Sequence, residues 1–262
     1  MGVLMGKPKS EDVSVEIDLW IASETAASLL RGFTEYLTDR DWDHFDSLRS
    51  PEVRNAAIAS RVLLRVALAS ATGGKVSPKE WEFGRTALGK PFVERGSDVH
   101  FSITYAGAMT AIGLSPDCPI GLDVEPAPPR TSLEGMQIYL HPKERRGARL
   151  LPRKFKESAF LRYWTLKEAF AKSIGEGLNI DFAGIDLSSV PVGKAFLGRV
   201  MSRQAVFYTS RLRDWGLSAG GWLSFAIMPS EEIRAFALTL HRLEAESGLV
   251  ERRERRTLIV ER

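Results

Sequence analysis

The pattern of apolar positions predicts a long amphipathic helix over residues 160–178, closed by Gly175. Large apolar side chains recur there at spacings of three and four, which places them on one buried face. They are Tyr163, Leu166, Phe170 and Ile174. Glu168 and Lys172 lie one turn apart outside this face, with Lys167 at its border, so they point outward or into a cleft. A solvent-exposed Glu–Lys pair has the same spacing, so the helix alone assigns no function.

Two elements are predicted in the N-terminal part of the chain. Apolar and polar residues alternate over residues 13–20, which is the pattern of a half-buried strand. Ser50 is a typical N-cap and Pro51 a typical first helical residue, so we expect a long helix to begin there. This helix is expected to run to about Ser70, because Gly73 and the glycine after it stop it.

Three arginines on this first helix share one face. Arg54, Arg61 and Arg65 fall at spacings of seven and four, so their guanidinium groups lie on the same side. Like charges at such spacings repel one another. The arrangement indicates either a solvated charged face or a site for an anionic ligand.

A second basic cluster is expected in a hairpin. Short strands at residues 81–85 and 91–93 flank a turn that contains glycine, and the hairpin would hold Arg85 and Lys90 near one another. Residues 99–114 then predict two further strands with a break between them.

The next strand, residues 119–126, carries two carboxylates on one face. Apolar side chains alternate with the others along it, so they point to the opposite face. The apolar residues are Ile120, Leu122 and Val124. Asp123 and Glu125 therefore share a face with Gly121, whose lack of a side chain would leave room for a ligand. An exposed edge strand would show the same alternation.

The remaining pattern predicts an α+β fold in two halves. A helix is expected to begin at His141, and four strands are expected after the central helix. They are predicted at residues 182–187, 205–212, 222–228 and 233–241. We predict an N-terminal half at 1–118, a C-terminal half at 119–242 and a charged tail at 243–262, the tail being a solvated helix or a frayed end.

Composition excludes several classes of protein. The chain has 262 residues with 36 basic and 33 acidic ones, and a net charge of +3 predicts no general affinity for nucleic acid or membranes. Cys118 is the single cysteine, so neither an intrachain disulfide nor a multi-cysteine metal site is expected. The chain lacks an apolar run long enough for a signal peptide or a membrane span, so a cytoplasmic location is expected.

The charged residues suit phosphate chemistry. Asp123, Glu125 and Glu168 supply hard oxygen ligands of the kind that hold Mg²⁺ together with substrate phosphates. Basic side chains would balance a multiply phosphorylated substrate. They are Arg85, Lys90, Lys172 and the arginines of the first helix. The sequence has no P-loop, no dinucleotide-binding glycine motif, no zinc-hydrolase histidine spacing and no GxSxG turn.

Five segments resemble a known family in their order and spacing. They are GRTALGKPFV (84–93), FSITYAG (101–107), IGLDVE (120–125), HPKE (141–144) and YWTLKEAFAKSIGEGL (163–178). The chain is similar over about residues 50–190 to 4′-phosphopantetheinyl transferases of the larger, monomeric, surfactin-synthetase-activating type. The resemblance implies two pseudo-symmetric α+β halves, each a helix on a mostly antiparallel sheet, with coenzyme A and Mg²⁺ between them. It also implies transfer of the phosphopantetheine arm to a serine of an apo acyl or peptidyl carrier protein, with release of adenosine 3′,5′-bisphosphate.

The resemblance assigns roles to particular residues. Asp123 and Glu168 correspond to magnesium ligands, with Glu125 as a third acidic position, and Asp123 also belongs to the coenzyme A site. Glu168 and Lys172 are the catalytic pair, Glu168 as the candidate base for the carrier serine and Lys172 as a phosphate contact. Thr104 corresponds to another phosphate contact.

The basic positions correspond to the nucleotide end of coenzyme A. Arg85 and Lys90 match the region that meets it, and either Arg54 or Arg61 would meet the 3′-phosphate. Tyr105 stands where the family usually has a histidine that contacts the phosphates. A phenol donates a hydrogen bond but carries no positive charge near neutral pH.

Two alternatives remain open. A protein of the same fold could bind coenzyme A or a carrier without efficient transfer, because Tyr105 departs from the family pattern. A nucleic-acid-binding module using the arginine-rich tail would bind with a steep salt dependence, but the near-balanced charge opposes it. The target carrier, whether of fatty acid, polyketide or nonribosomal peptide synthesis, is not assigned.

Overall fold

The computed structural model describes most of the chain as helices and strands. The described residues are 13–23, 27–28, 30–94, 99–107, 109–127, 137–217, 220–245 and 249–262. The helices are α1 (Asp39–Asp46), α2 (Pro51–Ala71), α3 (Pro142–Leu150) and α4 (Arg153–Ile174). The strands are β1 (Val13–Ala22), β2 (Phe83–Arg85), β3 (Pro91–Val93), β4 (His100–Ala106), β5 (Met109–Ser115), β6 (Ile120–Pro126), β7 (Ala195–Val200), β8 (Arg203–Arg211), β9 (Gly221–Ile227), β10 (Ala235–Ala245) and β11 (Leu249–Glu261). Within the described ranges, no helix is long and apolar enough to cross a membrane.

Nine of these strands form one sheet in the order β4-β5-β1-β10-β11-β7-β8-β9-β6, and β2 with β3 forms a separate hairpin. Neighbouring strands are antiparallel except for β1 beside β10 and β11 beside β7. The pairing of β11 with β7 covers only Val260 opposite Ala195 and Glu261 opposite Phe196. Two half-sheets are thus joined by a short parallel contact.

Helices cover the outer faces of this sheet, while strands from both half-sheets share an inner core. Along β1, Leu19 and Ile21 lie in the inner core and Trp20 lies in the cluster under α2. Helix α4 packs on a third cluster that includes Phe207 and Ala226 of the other half-sheet. The predicted α+β class, with a helix on a mostly antiparallel sheet in each half, is confirmed.

The two strands at the ends of the sheet order meet side by side. The backbone N–H of Leu122 on β6 donates to Ser102 Oγ on β4 at 2.9 Å. Thr104 Oγ1 on β4 donates to Asp123 Oδ1 on β6 at 3.1 Å. Hydrogen bonds through the Ser102 and Thr104 side chains therefore link the two half-sheets at β4 and β6, which are not paired with each other in the sheet.

The helix predictions are confirmed at the start of α2 and at the end of α4, whereas α4 begins at Arg153, seven residues before the predicted start. Ser50 Oγ accepts a hydrogen bond from the Val53 N–H at 3.3 Å, and Pro51 begins α2. Gly175 ends α4 with φ of 76°, a conformation that glycine adopts without the steric cost of a side chain. The apolar stripe predicted for α4 lies against the third cluster.

Several other predictions were wrong. Residues 182–187 form no strand, because Phe182–Gly184 is a 3₁₀ turn. Strand β7 was missed, and the predicted tail contains β11, which pairs with β10 over eleven positions. The first strand keeps the predicted half-buried alternation at its start, where Glu16 is exposed between Val15 and Ile17, but both of its faces are buried from Leu19 to Ala22. The predicted boundary between the N-terminal and C-terminal halves, at residues 118 and 119, stays a prediction.

Gly121 sets how closely β6 approaches α4. A Cβ atom at this position would overlap the Ala169 carbonyl oxygen and the Ser173 backbone nitrogen of α4. The expectation that Gly121 leaves room for a ligand was therefore wrong, because the helix backbone fills that space. The close approach places Asp123, two residues further along the same face, beside α4.

We expect Gly121→Ala to destabilise the protein by about 3 kcal/mol, because overlap with helix backbone cannot be relieved by a side-chain rotation. Chemical denaturation would measure the change in free energy of unfolding. Gly147→Ala is the matched control, since its Cβ would have no neighbour within 4 Å on α3. The control should be neutral or more stable by about 0.5–1 kcal/mol. Equal stabilities for the two variants would contradict this account of Gly121.

Candidate active site

The centre of the site is the buried carboxylate of Asp123. Its Oδ1 accepts hydrogen bonds from Lys172 Nζ at 2.7 Å and from Thr104 Oγ1 at 3.1 Å. Lys172 Nζ also donates to the Leu122 carbonyl at 3.2 Å. Asp123 Oδ2 is buried and has no hydrogen-bond partner among the described residues. One carboxylate oxygen is thus satisfied and the other is left for a further ligand.

Glu168 supplies a second carboxylate from α4. It is half-buried, and this burial raises its pKa to about 7, with a further contribution from the negative charge of Asp123. Lys172 opposes the increase, while Glu125 adds to it. The positive charge of Lys172 is too small to balance the two carboxylates of Asp123 and Glu168. A cation bound between them would stabilise the anionic form of both.

Glu125 lies on the same face of β6 at the edge of the site. It is half-buried and stands opposite Trp222 in the pairing of β6 with β9. The predicted sharing of a face by Asp123 and Glu125 agrees with the burial of Leu122 and Val124 in the inner core.

The donor set fits Mg²⁺ in part. Mg²⁺ is commonly held by one or two carboxylates, with water and substrate phosphates completing six ligands. Asp123 Oδ2 and the Glu168 carboxylate meet that requirement, since the first has no partner and the second is destabilised as an anion. In the part of the chain that is described, no group of three or more His, Cys, Asp or Glu side chains forms a metal cluster. The role of Glu125 as a third ligand stays a prediction.

Lys90 links the hairpin to the end of α4. Its Nζ donates to the Ser173 carbonyl at 3.0 Å, and its stem occupies the space that a Cβ atom at Gly175 would approach. Burial lowers the pKa of Lys90 to about 8. A cavity of about 230 Å³ lies here, and both Lys90 and Lys172 line it.

Arg85 and Arg61 line a different, larger cavity. It has a volume of about 550 Å³ and is also lined by His44, Trp81 and Phe83. Arg85 Nη1 donates to the Gly89 carbonyl at 3.1 Å. Arg85 and Lys90 come from one hairpin, as predicted, but they serve separate cavities.

Two residues that line the larger cavity have buried N–H groups without a hydrogen-bond partner among the described residues. Arg61 Nη1 and Trp81 Nε1 are buried donors without an acceptor among the described residues. Burial lowers the pKa of Arg61 to about 10, although Asp41 partly offsets this. Arg61 and Trp81 both line the larger cavity, so this cavity combines positive charge with donors that lack an acceptor.

The arginines of α2 do not form the solvated face that was one of the two interpretations. Arg65 is fully buried, and its Nη2 donates to Asp41 Oδ2 at 2.6 Å. Arg61 Nε pairs with Asp41 Oδ1 at 3.1 Å. Arg54 lies apart from them and pairs with Asp46 Oδ1 at 2.7 Å.

Asp41 was missed by the sequence reasoning. A signal for its position is the capping box at the start of α1, in which Asp41 and Thr38 exchange hydrogen bonds. The contact of Asp41 with Arg65 on α2 joins residues 24 positions apart, so the spacing of residues within one element cannot predict it.

Tyr105 and Thr104 point to opposite faces of β4. Thr104 is buried and turned to Asp123, whereas Tyr105 is 48% exposed and stands opposite Thr110. Thr110 Oγ1 in turn lies 2.6 Å from Ser60 Oγ of α2. Tyr105 therefore belongs to the side of β4 that faces α2. The predicted phosphate contact of Thr104 is not directly available, because its hydroxyl is engaged by Asp123.

Lys167 is structural, although it lies next to Glu168. Its Nζ pairs with Glu144 Oε2 at 2.8 Å and also donates to three backbone carbonyls. Glu144 accepts from the Leu187 and His141 N–H groups, each at 2.9 Å. Lys167 is thus fully buried and not at a border, and the pair fixes α3 against α4.

Comparisons with known proteins identify the family of this chain. The family model described as "4'-phosphopantetheinyl transferase superfamily" matches residues 119–221. The protein named 4'-phosphopantetheinyl transferase HetI from Nostoc sp. is 30% identical over 173 residues, which are 63% of this chain and 71% of the relative. The 4'-phosphopantetheinyl transferase of Bacillus subtilis is 29% identical over 119 residues, or 45% of this chain and 51% of the relative.

A vertebrate protein is also similar. The L-aminoadipate-semialdehyde dehydrogenase-phosphopantetheinyl transferase of Xenopus laevis is 27% identical over 172 residues, or 61% of this chain and 56% of the relative. This chain thus spans just over half of the Xenopus and Bacillus proteins. It belongs to the 4′-phosphopantetheinyl transferase superfamily, a family of transferase enzymes.

Proposed function

We propose that this protein transfers the 4′-phosphopantetheine arm of coenzyme A to a serine of an apo acyl or peptidyl carrier protein. The proposal includes dependence on Mg²⁺, release of adenosine 3′,5′-bisphosphate, and assignment to the larger, monomeric, surfactin-synthetase-activating subclass in the cytoplasm. The observation that carries it is the pair of carboxylates from β6 and α4, in which Asp123 Oδ2 has no partner and Glu168 has a raised pKa.

Asp123 and Glu168 would hold the metal ion. Mg²⁺, when bound, neutralises negative charge on pyrophosphate oxygens and on the departing bisphosphate. Lys172, held on Asp123 at 2.7 Å, is placed to bind phosphate oxygens beside these carboxylates. Thr104 fixes the orientation of Asp123 through its hydrogen bond of 3.1 Å.

The reaction needs an acceptor for the serine proton. The serine Oγ forms a bond to the β-phosphorus of coenzyme A, and the bond from that phosphorus to the bridging oxygen breaks. Glu168 would take this proton directly or through water; its pKa of about 7 applies without a bound cation, and Mg²⁺ beside it would lower that pKa. The electron pair of the broken bond leaves with adenosine 3′,5′-bisphosphate.

The two basic cavities support binding of the nucleotide end. The smaller one, beside Lys90 and Lys172, adjoins the carboxylates through α4. The larger one offers Arg61 and Arg85, together with two buried donors that lack acceptors. We assign the 3′-phosphate to Arg61 and not to Arg54, because Arg61 lines the larger cavity and keeps its Nη1 without a partner among the described residues, whereas Arg54 does not line that cavity and pairs with Asp46.

The alternative of a binding protein without efficient transfer rests on Tyr105 alone. Its hydroxyl is exposed on β4 and carries no positive charge near neutral pH. The carboxylates and Lys172 favour the enzyme, because binding alone would not require a candidate base.

The decisive experiment is intact-mass measurement of apo carrier proteins incubated with this protein, coenzyme A and Mg²⁺. Carriers from fatty acid, polyketide and nonribosomal peptide synthesis would be tested in parallel. We expect at least one carrier to gain one phosphopantetheine arm, and EDTA to prevent the gain until excess Mg²⁺ is added. Absence of transfer to every carrier, with coenzyme A still bound, would favour the binding protein instead.

Glu168→Gln should lower the transfer rate by about 10²- to 10⁴-fold, because the amide neither accepts the serine proton nor supplies an anionic ligand. Coenzyme A affinity, measured by calorimetry without metal, should stay near the wild-type value. Glu231→Gln is the control, since that exposed carboxylate lies in the loop before β10 and should leave turnover unchanged. Unchanged turnover of Glu168→Gln would remove this residue from the mechanism.

Tyr105→Phe should raise the KM for coenzyme A about tenfold, the expected effect of losing one hydrogen bond to a charged group. The kcat at saturating coenzyme A should change less. Steady-state kinetics on a responsive carrier would measure both constants. Tyr36→Phe, in the 3₁₀ turn before α1, is the matched control. If the KM for coenzyme A is unaltered in Tyr105→Phe, the tyrosine hydroxyl makes no phosphate contact.

A further inference from the structure

The larger cavity contains a histidine to which the proposed function gives no role. His44 lies on α1 and lines this cavity together with Arg61 of α2 and Arg85 of the hairpin. The cavity volume of about 550 Å³ is in the range of small-ligand sites, about 300–1,000 Å³. Three separate elements thus bring one imidazole and two guanidinium groups to the same cavity.

The ion pairs of Asp41 fix the position of His44. Asp41 lies three residues before His44, so the two side chains project from the same side of α1. Asp41 Oδ1 pairs with Arg61 Nε at 3.1 Å, and Asp41 Oδ2 pairs with Arg65 Nη2 at 2.6 Å. Both carboxylate oxygens are therefore engaged by α2. The imidazole of His44 has no hydrogen bond or ion pair with any residue that the structure describes.

The other charged residues of this cavity leave an excess of positive charge. Arg40 pairs with Glu94 at 3.0 Å, and Glu82 stabilises the Arg40 cation further. Arg85 donates only to the Gly89 carbonyl and forms no ion pair within the described ranges. The imidazole thus lies beside cations, and the nearest carboxylate, Asp41, is already shared between two arginines.

These surroundings disfavour the protonated form of His44 when no anion is bound. Burial lowers the pKa of His44, and the positive charges of Arg85 and Arg61 lower it further, while Asp41 opposes both effects. The imidazole is therefore neutral at neutral pH, which avoids repulsion from the two guanidinium groups. A phosphate in the cavity would bring close to two negative charges, since the second pKa of a phosphate monoester is about 6. It would therefore favour the imidazolium form.

We propose that His44 binds the 3′-phosphate of coenzyme A and takes up one proton from solvent as it does so. The proton goes to the ring nitrogen that is unprotonated in the neutral imidazole, and the imidazolium donates a hydrogen bond to a phosphate oxygen. This inference rests on the proposed function, because it takes coenzyme A to be the ligand. The complex holds the proton more tightly than the free protein. Affinity for coenzyme A therefore rises as the pH falls through the pKa of His44 in the complex.

Substitution of His44 separates its charge from its hydrogen bond. Coenzyme A affinity would be measured by calorimetry without metal or carrier. At about pH 6, His44→Gln should bind about tenfold more weakly than the wild type, because the amide donates a hydrogen bond but carries no charge. At about pH 8 the two proteins should differ less than threefold. His44→Lys carries a fixed charge, so it should bind at about pH 8 as tightly as the wild type does at about pH 6.

Proton uptake is read from the dependence of the binding enthalpy on the ionisation enthalpy of the buffer. Glu168 and Lys90 have pKa values of about 7 and about 8, so their titration contributes as well. The decisive quantity is the uptake by the wild type minus the uptake by His44→Gln, which should be about 0.5–1 proton between about pH 6 and pH 7. His100→Gln is the matched control, since His100 is exposed at the start of β4 and lines neither basic cavity. Its uptake should equal that of the wild type.

The ligand 3′-dephosphocoenzyme A tests the assignment with the unmodified protein. It lacks the phosphate that His44 is proposed to meet but keeps the pyrophosphate. The wild type should take up fewer protons with this ligand than with coenzyme A, and His44→Gln should bind it about as well as the wild type does. Equal uptake with the two ligands would overturn the assignment of His44 to the 3′-phosphate.

The outcomes distinguish this inference from the proposed function. Equal proton uptake and equal pH dependence for the wild type and His44→Gln would overturn the role of His44 while leaving transfer to carriers intact. Transfer to no carrier, with proton uptake that depends on His44, would overturn the proposed function and support the role of His44. Absence of coenzyme A binding by the wild type would overturn both.

Discussion

One carboxylate oxygen, Asp123 Oδ1, ties together the elements on which the site depends. It accepts a hydrogen bond from Thr104 on β4 and another from Lys172 on α4, while Asp123 itself lies on β6. A buried charge is tolerated only where opposite charge and hydrogen bonds compensate it. Because the compensating groups come from different parts of the chain, the carboxylate is satisfied only when β4, β6 and α4 have all reached their places.

The buried ion pairs of this protein differ in how completely hydrogen bonds satisfy them. Glu144 and Lys167 are buried with hydrogen bonds to backbone groups around them, and Asp41 is likewise paired with the fully buried Arg65. Such pairs lock helices in position. Asp123 keeps one oxygen without a partner, and burial weakens the anionic form of the nearby Glu168. A site that binds a cation and a phosphorylated ligand needs carboxylates whose charge is not already balanced by hydrogen bonds and basic side chains. Neighbours in sequence, such as Lys167 and Glu168, can thus have opposite roles.

Local pattern predicted the elements whose side chains alternate between core and exterior. The stripe on α4 and the alternation on β6 were predicted because each element presents one apolar face to a core. Prediction failed where long-range contacts decide. The segment that forms β11 is rich in charge, yet it is a strand, because pairing with β10 satisfies its backbone and Leu258 and Val260 pack against the inner core. The burial of Arg65 depends on Asp41, 24 residues away, which periodicity cannot reveal. The spacing of Asp123, Glu168 and Lys172 predicted a site suited to phosphate chemistry. The cavities could not be predicted, because they depend on how distant segments pack together.

The parallel pairing of β1 with β10 has a consequence for how the chain folds. His241 on β10 stacks on Trp20 of β1 at 3.9 Å and lies 3.2 Å from Asp18, which is 223 residues earlier. The chain loses conformational entropy when so long a loop closes, and it does so before the contacts of the pairing can form. Non-local pairings of this kind slow folding. During synthesis, β1 lacks this neighbour until β10 has left the ribosome, so one edge of β1 stays open to other partners. The two halves are therefore not independent folding units: the N-terminal sheet acquires its full width only from strands that follow α4.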